Sequence, residues 1–332
     1  MLTKIFLPSI YGYANAKAHA IKSQLLPKSF MLDALSVNTL QGLYELLKGT
    51  HYKEYLNENI IKEHGISTGI EICLWNRFNA IKERIKKAIP KKDIEIFNIF
   101  LLRYEIRNAK IVFSKIILGK DQRIFITENE KLWEKIEKSD KPFETFFTSH
   151  LWKTVEKYLS KNYMQRIKNK QLDINEFFSL LDESYIEALK ALKDTRTYKY
   201  EMINADIPNL IKIIKAIKEN KEIKESDLIN GSINKRVLLS CIKDEKTLTS
   251  ILKIYGLKKE DDINAIVRKS RMYLIRKLRA NFINAGFSID KAMLLMLMLE
   301  NEILLLRKII LQKTMHIEKK LILEEINNFY GG

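Results

Sequence analysis

LLRYEIRNAKIVFSKII, residues 101–117, decides the fold. At about 100° per residue, Leu102, Ile106, Ala109, Phe113 and Ile116 share one face, while Arg103, Arg107 and Ser114 share the other. Glu105 breaks the pattern, because it sits inside the apolar arc between Leu101, Val112 and Ile116. A carboxylate in that position needs a partner or gives up its charge.

The same arrangement recurs along the chain. In ENEILLLRKIILQK (300–313), Glu302 lies in an arc with Leu299, Leu306 and Ile309; in DIPNLIKIIKAIK (206–218), Asp206 lies with Leu210, Ile213 and Ile217. The acids are 101 and 96 residues apart. In YGYANAKAHAIKSQLL (11–26), Asn15 and Lys17 match Asn108 and Lys110, but no acid is present; Asn209 keeps the Asn and Arg307 only the base. A second segment follows the period: LLKGTHYK (46–53) precedes FFTSHLWK (146–153) by 100 residues, with a weaker third copy at TLTSILKIYG (247–256). A fixed period of this kind indicates repeated supersecondary units. Three are expected: residues 1–104, residues 105–205, and residues 206–332 with the closing C-terminal helices.

Apolar residues make up 46% and charged residues 30% of 332 positions, as in a globular chain with a substantial core. With 5 Pro, 11 Gly and almost no period-two alternation, the expected class is all-α. Cys73 and Cys241 fall in helical patterns and suggest no disulfide framework. The longest apolar run near the end, MLLMLML (293–299), stops at Glu300, far short of a membrane span. The start, MLTKIFLPSIYGYANA, imitates a signal peptide but is interrupted by Pro8 and Gly12 and runs into a helical pattern, so cleavage is not expected.

Net charge is +17, spread as +5, +5 and +7 over residues 1–100, 101–200 and 201–332. An even excess suits a solvated surface that attracts acidic lipid headgroups or acidic proteins more than a nucleic-acid groove. A basic all-helical nucleic-acid-binding protein is nevertheless the alternative reading; it requires steep salt dependence and charge gathered on one face.

Helices are expected at about 9–26, 68–88, 94–118, 176–199 and 260–284, with a strand or irregular loop only in 119–131. Ser36 or Asn38 is expected to cap the helix in SVNTLQGLYELLKG, and Gly49 to stop it in a left-handed conformation. Pro208 is expected in the first turn of a helix, with Asp206 as a possible cap. Ile263, Val267, Leu274 and Leu278 are expected to face inward on the helix before the last long one, which Ser288 can cap.

Catalytic signatures are missing. Gly65 and Gly69 do not form a phosphate loop, and His19, His51, His64, His150 and His316 include no i, i+4 pair. No cofactor, metal site or catalytic residue is expected. Glu105, Asp206 and Glu302 read as structural acids, each clamped to an Arg or Lys of a neighbouring helix; an enzyme would need them to converge in one cavity.

YGYANAKAHAIKSQLL followed by LQGLYELLKGTHYKEYL (40–56), YEIRNAKIV (104–112) and LENEILLLRKIILQK (299–313) resembles the C subunits of archaeal A-type and bacterial V-type ATP synthases, which are similar to the d subunit of eukaryotic V-ATPases. The resemblance covers nearly the whole chain, with DIPNLIKIIK and 119–142 departing from the pattern. It implies three similar helical domains in a pseudo-threefold funnel. It implies a non-catalytic coupling protein on the cytoplasmic face of the cell membrane, one copy per hetero-oligomeric complex. Its partners would be the rotor-ring proteolipids, the D and F subunits of the central shaft, and the membrane surface by way of the ring, with no nucleic acid. Asn15, Lys17, Asn108, Lys110 and Arg307 are the candidate contacts for the shaft; their other reading is inter-domain packing.

Overall fold

Periodic apolar stripes and scarce helix breakers produce helices throughout. The structure is a computed structural model that describes residues 10–119, 129–158, 174–258, 261–315 and 317–330. Among them every regular element is helical and none is a strand, so the protein is all-α. Residues 120–128, within the stretch where a strand or loop is expected, lie outside the described residues, as do the first nine residues and His316.

In chain order the helices are α1 (Gly12–Lys22), α2 (Lys28–Ser36), α3 (Leu40–Lys48), α4 (Glu58–His64), α5 (Ile66–Lys86), α6 (Ile94–Leu118), α7 (Glu130–Glu137), α8 (Pro142–Phe147) and α9 (His150–Glu156). There follow α10 (Ile174–Leu189), α11 (Arg196–Glu219), α12 (Lys235–Ser240), α13 (Glu245–Ile254), α14 (Ile263–Asn284), α15 (Asp290–Met315) and α16 (Lys319–Tyr330). Two compact units form, residues 1–97 with 275–332, and residues 98–274.

The first unit is built around α15. Every residue from Ala292 to Glu302 on this helix is buried. A helix that is apolar all round belongs inside a core, and α15 packs against α5, α1, α16 and α2. The stripe of α5, Ile70, Leu74, Trp75, Phe78, Ile81 and Ile85, is buried too. The chain reverses between α4 and α5 at Gly65, whose φ of 76° favours glycine.

The second unit holds an aromatic cluster and an aliphatic one. Phe113 of α6 stacks on Phe143 at 4.4 Å and meets Phe146 and Phe177 edge-on, while Trp152 meets Phe147 at 4.7 Å. Leu210 and Ile213 of α11 pack with Leu238, Leu248, Leu252, Tyr255 and Ile266.

Five local expectations are corrected. Thr39, not Ser36 or Asn38, caps α3 by accepting from the Gly42 amide at 3.0 Å, and Gly49 closes it at φ −81°, not left-handed. The helix expected over 176–199 ends at Leu189; after a 3₁₀ turn, Thr195 caps a new helix by accepting from Tyr198 N at 3.0 Å. Pro208 lies in the interior of α11, not its first turn. Proline supplies no N–H to the Asn204 carbonyl, but the helix is held by tertiary contacts: Asn209 donates to Ile229 O at 2.7 Å and accepts from Ile229 N at 2.9 Å. Val267 is 46% exposed; Ile266, Leu274 and Leu278 carry the buried face of α14.

At Gly69 the helices α4 and α5 touch so closely that a β-carbon would lie 2.6 Å from Ile61 Cδ1 and 2.9 Å from Ile61 Cα. Gly69→Ala is expected to lower stability by about 1–3 kcal/mol, as overpacking does. Urea unfolding followed by circular dichroism should show a lower midpoint with an unchanged slope; an unchanged midpoint would mean that α4 moves aside freely.

Candidate functional site

The polar groups that stand out are those taken into the apolar interior. Glu302 of α15 is fully buried. It accepts from the Leu26 amide at 2.6 Å, the Tyr52 hydroxyl at 2.8 Å and Arg77 Nη1 at 3.1 Å. Arg77, 1% exposed, sends Nη2 to the Gln24 carbonyl at 3.0 Å and lies 4.2 Å from the centre of the Tyr52 ring. Burial pushes the Glu302 carboxyl above the usual glutamate range; Arg77, Tyr52 and the Leu26 amide pull it partly back. Tyr52 is driven well up, first by burial and then by the Glu302 charge.

Asp206 of α11 is equally buried but has no basic partner among the described residues. Its Oδ2 accepts from Ser232 N at 3.1 Å, from Ser232 Oγ and from Tyr255 OH at 2.8 Å; its Oδ1 accepts from Ile233 N at 3.2 Å. A β-carbon on Gly231 would collide with this carboxylate and approach Met202 O to 3.2 Å, so glycine is what lets the loop reach the acid. Burial raises the Asp206 pKa, and the hydroxyl and amide donors only moderate the rise.

Glu105 is half-buried, with Trp133 Nε1 donating to Oε2 at 3.0 Å. Each of the three repeated acids therefore accepts from the polar tip of an aromatic side chain. Tyr52 and Tyr255 both belong to the second recurring segment. In the middle copy Trp133 donates, not Trp152, which aligns with Tyr52. Among the described residues Glu302 and Asp206 share no partner, and each is surrounded by structural donors. Among the described residues no group of three or more His, Cys, Asp or Glu could hold a metal ion.

Of the five other predicted residues, Asn15, Lys17 and Arg307 belong to the first unit and Asn108 and Lys110 to the second. Asn15 is 2% exposed, donating to Tyr11 O at 2.8 Å and Ser288 O at 3.3 Å. Asn108 is also 2% exposed. Lys17 is half-exposed and donates to Tyr13 OH at 3.2 Å. Lys110 pairs with Asp182, and Arg307 Nε lies 3.2 Å from Glu71 Oε2. Sequence reasoning misses Arg77, Tyr52 as a donor, and the Arg103–Glu201 pair, in which Glu201 is 2% exposed. The recurrence of LLKGTHYK is the available signal for Tyr52; nothing local marks Arg77 as buried except its place on the α5 stripe, three residues after Leu74.

The family model described as ATP synthase (C/AC39) subunit matches residues 14–325. The chain belongs to that family. The protein named as the C subunit of the A-type ATP synthase in Pyrococcus furiosus is a relative, 22% identical over 322 residues, covering 90% of this chain and 85% of the relative. As in the expectation drawn from the four quoted segments, the C/AC39 match runs through all three acid positions and both buried networks. No helix of this C/AC39 protein is long and apolar enough, among the described residues, to cross a membrane.

Glu302→Gln replaces an acceptor-only group with one whose amide must face Arg77, Tyr52 or the Leu26 amide. Breaking a buried pair in this way costs roughly 3–5 kcal/mol. The melting temperature of E302Q should fall accordingly; an unaltered value would remove the clamp. Asp206 gives a pH signature. The folded chain holds its proton more tightly than the unfolded chain, so its contribution is most favourable below the ordinary aspartate value and is lost as pH rises through the shifted one. Urea midpoints measured across pH should therefore decline with rising pH less steeply in Asp206→Asn than in the native protein, and parallel slopes would contradict the assignment.

Proposed function

We propose that this protein is a non-catalytic central-stalk adaptor of a rotary A/V-type ATP synthase. It joins the membrane rotor ring to the D and F subunits of the central shaft, and passes torque between them for ATP-coupled proton or sodium transport. It sits peripherally on the cytoplasmic face of the cell membrane, as one copy in the complex. The observation that carries the reading is the family match over residues 14–325. The name of the Pyrococcus furiosus relative, which places it in an A-type ATP synthase, supports it.

Three repeat units, 1–104, 105–205 and 206–332, in a pseudo-threefold arrangement are part of the same proposal. Its support is the recurrence of an acid bonded to an aromatic donor: Glu302 with Tyr52, Glu105 with Trp133, and Asp206 with Tyr255. Lys17, Lys110 and Arg307, whose side chains reach solvent, remain candidate shaft contacts. Asn15 and Asn108 are buried in the free chain and are better assigned to packing.

The test is co-purification of the tagged chain from detergent-solubilised membranes. Ring proteolipids and the shaft proteins should be recovered with it in fixed proportion, surviving moderate salt. Recovery of nucleic acid instead, released steeply as salt rises, would transfer the assignment to the basic nucleic-acid-binding reading.

A further inference from the structure

The turn that follows α1 carries more than the Glu302 network. Beside it, between the ends of α1, α14 and α16, lies a cavity of about 220 Å³. Leu25, Leu26, Ile283, Met298 and Phe329 form its apolar wall, with Lys22 and Arg279 also on the lining. Apart from Lys22, the polar residues on its edge each have a hydrogen-bond partner. Arg279 Nη1 donates to Phe329 O at 2.9 Å, Tyr330 OH donates to Leu26 O at 2.6 Å, and the Leu26 amide is held by Glu302. Water entering it finds few partners. Its volume equals about seven waters and is below the roughly 300–1,000 Å³ of sites that enclose a whole ligand. It suits one end of a molecule. Ile283, 69% exposed, leaves the mouth open.

Lys22, on the cavity lining, also belongs to a group of bases around Phe282, the neighbour of Ile283 in sequence. Lys22 Nζ of α1 lies 5.0 Å and Lys291 Nζ of α15 lies 5.9 Å from the centre of the Phe282 ring. His19 meets that ring edge-on at 5.4 Å, and its Nε2 is 2.8 Å from Lys291 Nζ. Among the described residues no carboxylate pairs with Lys22 or Lys291. The two ammonium groups help push the His19 pKa down, after desolvation. Two cations around one buried ring, one of them also on the lining of an apolar recess, make an anion position adjoining an apolar one.

We propose that the cavity takes the apolar end of a single-headed amphipathic anion whose carboxylate or phosphate head is held by Lys22 and Lys291. The tail lies against Leu25, Met298 and Phe329, and the head stays at the mouth beside Ile283. Two sources offer this chemistry, a free medium-chain carboxylate and an anionic phospholipid in a bilayer.

The full-length chain is titrated calorimetrically with sodium decanoate, with decanol and with inorganic phosphate. Decanoate should bind saturably at one site. Decanol and phosphate each supply half of the recognition and should bind at least about tenfold more weakly, the loss expected when a charge-assisted contact or a buried chain is removed. The double variant Lys22→Gln, Lys291→Gln should weaken decanoate by about tenfold or more. Met298→Trp, which fills the recess, should abolish binding; should that variant fail to fold, Ile283→Asp at the exposed mouth gives the same loss by repulsion. Decanoate should also raise the His19 pKa in NMR titrations, because the bound anion offsets Lys22 and Lys291. Flotation with phosphatidylglycerol but not phosphatidylcholine vesicles, lost in Ile283→Asp, assigns the bilayer source; decanoate binding without flotation assigns the free amphiphile. Phosphate or decanol binding as tightly as decanoate, variants that leave affinity unchanged, or no saturable binding would each overturn the proposal.

Discussion

A carboxylate with no water around it has to be surrounded by donors, and Glu302 dictates where four segments of the chain must meet. It projects from α15 at the end of the apolar run 293–299, where an isolated charge is untenable. Its donors come from the turn after α1, from Tyr52 beyond α3, and from Arg77 on α5. Apolar surfaces slide past one another at small cost, whereas a three-donor carboxylate accepts one register. Replacing such a cluster with well-packed apolar groups is often neutral or stabilising. Here it ties the turn after α1 to α5 and α15, with Arg77 holding the Gln24 carbonyl from its other nitrogen.

Asp206 meets the same constraint without a cation. The loop 230–233 brings two amides and a hydroxyl to it, and Tyr255 closes the set. This works only because Gly231 has no side chain, since any β-carbon would occupy the carboxylate's position. One turn further along α11, Asn209 takes both backbone groups of Ile229. Together they lock α11 to the loop before α12, which explains how the helix passes through Pro208. The two units thus solve one problem differently, by counter-charge in one and by oriented dipoles in the other.

What the sequence makes legible is local. The arc of α6 and the stripe of α5 follow from 3.6-residue periodicity, and the buried faces agree with it down to Phe113 and Ile85. The odd acids are visible because a charge inside an apolar arc contradicts its surroundings. Their partners are not, since the Glu302 donors lie 225, 250 and 276 residues away and no spacing rule reaches that far. Pro208 is misplaced by a local rule for proline that is strong, because the anchoring of Asn209 is tertiary. Arg103 belongs to the solvent face by periodicity, yet its long side chain folds over to Glu201, as amphipathic side chains do.

That last contact is one instance of a general imbalance. Eight acids but only two bases are buried among the described residues: Glu71, Asp93, Glu201, Asp206, Asp290, Glu300, Glu302 and Glu325, against Arg77 and Lys82. Several of these acids draw their counter-charges from partly exposed side chains, as in Arg307 with Glu71 and Lys308 with Glu325. The chain as a whole carries a formal +17. A surface so composed attracts anionic partners over about one Debye length, roughly 8 Å at physiological ionic strength. Long-range attraction of that kind raises encounter rates without selecting a register, and selection is left to features that differ from one face to another.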